Sequence, residues 1–343
     1  MSDPRLAVII TCWNYKDYVG RAIDSVASQG RDDCELVVID DGSTDSSWDV
    51  IRNSGAAAYQ TENGGQRKAC LYGLKKTRAP FVMFLDADDE LLPGSLATIL
   101  SKLDHDVAKL QFPLMRIDSD GNVIGDPVPS LRDFRGRQLV DEILRESVYT
   151  TPPTSGNVFR RDICYLLEEA HYDRAVDGVI LFAAPFMGEV VSLSQPLGLY
   201  RVHDSNDSSF GSPLDPQLLK RDLSRFVDRA NHLRRILSRR GQAQGLVSPE
   251  DTYFYLEHHF YLAIAEGRRI SAANLSRLLK RLWIAAYCPL STKAVITVFL
   301  ILTALLPNER ARAALSYRLE AGNRSTIGLL QALFSPRKCP ATP

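Results

Sequence analysis

Early in the chain, short apolar runs alternate with stretches whose apolar positions fall three and four apart. Leu6–Ile10, Glu35–Ile39, the weaker Ala56–Tyr59 and Phe81–Leu85 read as strands. The last is apolar throughout, as in a strand buried on both faces. Between the first two strands, Val19, Ile23 and Val26 mark an amphipathic helix ending near Gly30. A second helix carries Trp48, Val50 and Ile51, with Ser43 or Thr44 placed to cap it, and a third runs from Arg67 to Lys76. Strands alternating with helices in this way predict a parallel α/β sheet wound by right-handed crossovers.

Further along, Ser95–Leu103 reads as a helix, Val107–Phe112 and Met115–Ile117 as strands, Asp118–Asn122 as a hairpin turn, and Arg137–Glu146 as a helix. Tyr149–Asn157 is polar and Pro-rich, without a regular pattern. Val179, Ile180 and Phe182 mark another helix, and Leu199–Val202 a strand. After Pro213 the chain turns to Leu, Arg and Ala with helical spacing, over Gln217–Arg240, Pro249–Glu266 and Ile270–Ala286. The segment Lys293–Pro307 is nearly all apolar but short of the roughly 20 residues that span a bilayer. Arg310, Arg312, Arg318 and Arg324 follow it. It is either a buried helix or an in-plane segment drawn to anionic lipid, and the second reading makes the protein peripheral on the cytoplasmic face of a membrane. The expected division is an α/β domain over residues 1–212 and a helical region over 213–343.

Composition narrows the class. Of 343 residues, 45% are hydrophobic and 24% charged, as in ordinary soluble proteins. Lys plus Arg equals Asp plus Glu at 41 each, which gives no preference for nucleic acid. Six cysteines without a C-x-x-C pair suggest neither a zinc site nor a disulfide framework. With no signal-peptide pattern at the start, these features predict a protein of the reducing cytoplasm. Oligomeric state is not legible.

Chemistry gathers where the strands end. Thr11-Cys12-Trp13-Asn14 follows the first, Asp40-Asp41-Gly42-Ser43 the second, Asn63-Gly64-Gly65 the third and Asp86-Ala87-Asp88-Asp89 the fourth. The carboxyl edge of an open α/β sheet is where ligands bind, so these exits predict one crevice. Asp86 and Asp88 could converge on a hard cation, or the turn could be solvated and cap the next helix. Asp41 could bond a nucleobase or ribose, and glycines let backbone approach a ligand. Arg67 and Lys68, opening a helix, either face a diphosphate or sit in solvent. There is no G-x-G-x-x-G or G-x-x-x-x-G-K-[ST], which argues against a dinucleotide fold and a P-loop NTPase.

These motifs, in this order and spacing, resemble the inverting family-2 glycosyltransferases of GT-A fold. The resemblance rests on Val8-Ile9-Ile10 with Asn14, Val38–Asp45, Glu62–Gln66 and Phe84–Asp89. It implies a mostly parallel sheet and transfer of a sugar from a nucleoside-diphosphate donor, usually uridine, to an acceptor hydroxyl. The acceptor would be a carbohydrate or lipid-linked glycan, as in bacterial polysaccharide or glycolipid synthesis. Thr11, Asn14, Asp41, Asn63, Gly65, Arg67, Lys68, Asp86 and Ala87 would line the nucleotide sugar. Asp86-Ala87-Asp88 would be the D-x-D motif, with Asp88, Asp86 and His203 of Tyr200-Arg201-Val202-His203 holding Mn2+ or Mg2+. Asp177 would be the catalytic base; on physics alone it is a carboxylate favourable at a helix N-terminus. Asp89 would cap the following helix.

The chain departs from the family at several points. Thr11-Cys12-Trp13 replaces the usual Pro-Thr-Tyr, Ala69-Cys70-Leu71 replaces Ala-Arg-Asn, and Val176 stands where a Glu precedes the base. A nucleotidyltransferase would need a glycine-rich loop after the first strand, which Thr11–Tyr15 lacks. The remaining alternative is a catalytically silent sugar-nucleotide-binding or scaffold protein.

Overall fold

The structure is a computed structural model, which describes residues 3–170, 178–203, 214–284 and 289–319. The chain divides into two compact units. One comprises Met1–Ile143, Val148–Ser205 and His232–Gln244, and the other Leu144–Ser147, Asn206–Asn231 and Gly245–Pro343.

The first unit begins with the alternation read from the sequence: β1 (Leu6–Cys12), α1 (Val19–Ala27), β2 (Cys34–Asp40), α2 (Ser47–Asn53), β3 (Ala57–Gln60), α3 (Gln66–Lys76) and β4 (Phe81–Asp86). These strands pair in parallel, in the order β3-β2-β1-β4. The β1 residues are all buried, and Val19, Ala22, Ile23 and Val26 of α1 turn their side chains into the same core. A fully covered parallel sheet needs such continuous apolar strands. Two helix ends differ from expectation. α1 stops at Ala27 with Ser28 as its C-cap, and Gly30 (φ +58°) lies in the turn beyond it. α2 is preceded by Ser46, not by Ser43 or Thr44, because Ser43 is engaged elsewhere.

Past β4 come β5 (Glu90–Leu91), α4 (Ser95–Leu100), β6 (Val107–Gln111), β7 (Leu114–Ile117), β8 (Phe134–Gly136) and α5 (Leu139–Glu146). They are followed by β9 (Asn157–Arg160), α6 (Arg161–Cys164), α7 (Gly178–Met187), β10 (Glu189–Ser192) and β11 (Gly198–Arg201). The main sheet continues as β4-β9-β6-β10-β8, with β9 and β8 antiparallel to their neighbours. The Asp118–Asn122 segment is the expected hairpin turn, with Asp118 Oδ1 accepting from the Asp120 and Asn122 amides. The stretch expected to be irregular instead ends in a 3-10 turn, Thr154–Gly156, that leads into β9.

A second, three-stranded sheet runs β5-β11-β7, with β11 antiparallel to β5. Leu199 sits opposite Glu90, so the residues after β11 run back alongside the Asp86–Asp89 turn. The close approach depends on Gly198, where a Cβ would lie 2.9 Å from the Glu90 carbonyl oxygen.

The second unit holds α8 (Pro216–Arg239) as far as Asn231, the rest of that helix belonging to the first unit, and then α9 (Tyr253–Ala265), α10 (Ala272–Ile284), α11 (Leu290–Leu305) and α12 (Asn308–Leu319). Its core gathers Leu256, Phe260, Leu278, Leu282, Phe299, Leu300 and Leu315. Arg318, one of the basic residues that follow the apolar segment, donates to the Tyr261 hydroxyl (3.0 Å) and pairs with Glu257.

Candidate active site

Four strand exits meet at the carboxyl edge of the sheet. Parallel register sets Thr11 beside Asp86 and Cys12 beside Asp40. Asn14 adopts φ +60°, a left-handed conformation that asparagine tolerates. It ties the first two exits together: its amide donates to Ser43 Oγ (2.9 Å), and its Oδ1 accepts from the Thr44 amide (2.8 Å).

Asp41 is buried and fixes the third exit. Its Oδ1 accepts from the Gly64 amide (2.9 Å) and its Oδ2 from the Gly65 amide (2.7 Å). Asn63 is thereby held on a short loop beside Gly42, which has φ +70° and where a Cβ would lie 2.7 Å from the Asn63 nitrogen, leaving no room for a side chain. Asp40 is fully buried, bonded through Oδ2 to Gln60 (2.9 Å) and the Ser43 amide (3.2 Å). Of the two cations expected near a diphosphate, Arg67 donates to the Leu167 carbonyl oxygen (2.9 Å), while Lys68 is exposed beside Gly64.

The acidic turn after β4 is built from three directions. The Asp86 amide donates to Ser155 Oγ (3.0 Å), and Asp86 Oδ1 accepts from Gln66 Nε2 (2.6 Å). Ala87 is buried between the two carboxylates. Asp88 Oδ2 lies 3.0 Å from His203 Nε2, the two side chains only 10% and 9% exposed. The His203 ring stacks on Tyr18 (5.4 Å between centroids) and meets Tyr15 edge-on, so aromatic contacts set its orientation. Asp89 does not cap a helix. It is buried, its Oδ1 accepts from the Arg201 amide (3.0 Å), and burial together with the Asp88 charge raises its pKa well above the carboxylate range. Gly94 precedes α4 instead.

Arg201 is the residue that the sequence reading passed over. Its side chain is wholly buried; Nε donates to the Asp88 carbonyl (3.0 Å), Nη1 to the carbonyls of Asp118 and Ser119 (both 3.1 Å), and Nη2 pairs with Glu90. A rigid fork of donors suits such a multi-carbonyl socket. The signal was the position of Arg201 two residues before His203. Ser155 was missed because only the antiparallel β4–β9 pairing brings residue 155 to the Asp86 amide.

Asp86 does not complete a three-ligand set: among the described residues, Asp86, Asp88 and His203 do not close to within 4.8 Å of one another. The triad that does is Asp104, His105 and Asp106, all exposed. It precedes β6, at the opposite edge of the sheet from the acidic turn, and Arg135 holds both oxygens of Asp104. Asp177 and Val176, the expected base and its neighbour, lie outside the described residues.

Residues 7–164 match the family model described as Glycosyl transferase family 2. An uncharacterized glycosyltransferase of Nostoc sp. is 33% identical over 215 residues, covering 59% of this chain and 66% of that relative. Residues 7–164 thus form a glycosyltransferase family 2 domain. A GalNAc(5)-diNAcBac-PP-undecaprenol beta-1,3-glucosyltransferase of Campylobacter jejuni is 26% identical over 223 residues, 61% of this chain and 68% of that protein. S. aureus TarS residues 1–349, crystallised with UDP-GlcNAc, superposes with a TM-score of 0.51 and 16% identity over 91% of this chain and 86% of that one. This likeness bears on the fold, which is the GT-A arrangement of a large, mostly parallel sheet flanked by helices.

Proposed function

We propose that the chain transfers a sugar from a nucleoside-diphosphate donor, a UDP-sugar by family resemblance, to an acceptor hydroxyl with inversion, using a divalent metal. The observation that carries this reading is the 3.0 Å approach of Asp88 Oδ2 to His203 Nε2. Two cis ligands of an octahedral Mg2+- or Mn2+-like ion, each at about 2.1 Å, stand about 3.0 Å apart, so this pair fits the first half of such a shell. A carboxylate and an imidazole are suitable donors for that ion. Asp88 and His203 would hold the metal, with Asp86 beside the ribose, and the ion would supply positive charge that stabilises the leaving diphosphate.

The chain's own residues do the rest. Asp177 takes the proton of the acceptor hydroxyl as its oxygen bonds the anomeric carbon. The bond from that carbon to the diphosphate breaks on the opposite face, and the nucleoside diphosphate departs. Asn14 and Asp41 set the walls of the donor pocket by fixing the loops around it. A lipid-linked glycan acceptor is supported by the Campylobacter relative, whose name carries an undecaprenol diphosphate acceptor.

The test is a panel of nucleotide sugars followed by thermal shift and hydrolysis, with and without Mn2+. One donor is expected to stabilise the protein only with metal and to turn over. Asp177→Asn should abolish turnover while leaving donor binding intact, and near-normal activity in that variant would falsify the base assignment.

A further inference from the structure

The second unit carries an apolar face with no partner among the described residues. On α11, Leu290, Val295, Val298, Ile301 and Leu305 are large hydrophobic residues exposed by 37–78%, and Trp283 at the end of α10 is 49% exposed. At 100° per residue the five α11 positions fall within an arc of about 140°, so they form one stripe, about 22 Å long at 1.5 Å per residue. The opposite side of the same helix is core: Phe299 and Leu300 are buried. Scattered exposed hydrophobics are ordinary, but a continuous stripe of this length marks an interaction surface.

Charge indicates what covers it. Residues 267–319 contain nine Lys and Arg against a single acidic residue, Glu309. Arg268, Arg277 and Arg318 are paired with Glu266, Asp251 and Glu257. Arg269, Lys280, Arg310 and Arg312 are exposed. Lys280 precedes Trp283 by three positions, and Arg310 and Arg312 follow the end of α11, so basic residues flank the stripe along the chain. A second copy of this face would set like charge against like charge. Residues 320–343 are also net basic, with Arg324, Arg337 and Lys338 against Glu320, and offer no complement either. A bilayer with anionic headgroups complements both features, because it accepts an apolar stripe at acyl depth and basic residues at the surface. Tryptophan is favoured at that boundary. With 16 residues, α11 is too short to cross, and no described helix is long and apolar enough to do so.

We infer that α11, with Trp283, lies in the plane of an anionic membrane surface and docks the second unit onto it. The inference does not depend on the proposed donor or metal, because its readout is binding to lipid.

The experiment is flotation of the full chain with phosphatidylcholine vesicles, with and without phosphatidylglycerol. Binding is expected only to the phosphatidylglycerol vesicles, to weaken as salt rises, and to fall at least tenfold in Val298→Asp and in Ile301→Asp. Both positions are exposed, and an unchanged melting curve shows that the variants fold. A wild-type chain that stays with the soluble fraction in low salt overturns the inference. So does concentration-dependent dimerisation that Val298→Asp abolishes in the absence of lipid. Binding that appears only after removal of residues 320–343 also overturns it, by assigning the stripe to that segment.

Discussion

Asp88 and His203 lie 115 positions apart in the chain and 3.0 Å apart in space. The pairing of β11 with β5 produces this contact, since it runs the end of one strand alongside the turn that leads into the other. Neither side chain alone would make a metal site; together they offer an oxygen and a nitrogen at a ligand spacing.

Removing either proposed ligand should therefore act on metal binding before it acts on the fold. Asp88→Asn and His203→Ala are each expected to weaken Mn2+ binding by on the order of 10–100-fold, at least what loss of an outer-shell partner costs. Mn2+ titration of the thermal shift measures this directly. Identical midpoints in wild type and both variants would remove the pair from the metal shell.

Arg201 should behave as a structural keystone. Arg201→Met leaves Glu90 and three carbonyls without their buried donors, which is expected to cost about 3–5 kcal/mol by urea denaturation. Arg201→Lys should recover little of this, because an ammonium cannot reproduce the fork. A loss below about 1 kcal/mol is the behaviour of a surface pair and would contradict the burial argument.

Asp41 joins two strand exits through two backbone amides. Asp41→Ala strands the Gly64 and Gly65 donors and is expected to destabilise the protein by about 1.5–3 kcal/mol. Amide hydrogen exchange at Gly64 and Gly65 should rise sharply in the variant, and protection equal to wild type would rule out the role.

Acid should destabilise the fold at His232, which is buried beside Glu169. Burial lowers the His232 pKa, Arg235 and Arg239 add to that, and Glu169 opposes it. The unfolded chain therefore takes up the proton first, so stability falls as pH drops through the ordinary histidine value of about 6.5. Burial opposes the Glu169 shift, but Arg239 and His232 lower its pKa on balance, and that contribution is lost as pH falls below its ordinary value of 4.5. Urea midpoints at about pH 7.5 and about pH 5.5 should differ in wild type and converge in His232→Gln. A full acid-dependent drop in the variant would assign it to other groups.

The parallel half of the sheet was legible because Leu6–Ile10 and Phe81–Leu85 are unbroken apolar runs, a pattern that only strands covered on both faces require. The acidic turn was legible as chemistry, but the division of labour within it was not. Asp89 looked like a helix cap because it precedes Pro93 and a helical pattern, yet burial against Arg201 decides its place. Arg67 looked available to a phosphate, and the Leu167 carbonyl one hundred positions away takes one of its donors. Short strands such as β5 and β10 leave no period to read; β5 has only two residues. Long-range contacts of this kind are written in topology and not in local pattern.

Ser155 belongs to the Pro-rich stretch before β9, and its hydroxyl accepts from the backbone amide of Asp86, a carboxylate of the proposed donor site. That stretch and the acidic turn are therefore not separate modules. A graft of residues 149–156 from another transferase would have to bring a hydroxyl at position 155, or it would arrive with the Asp86 backbone unanchored.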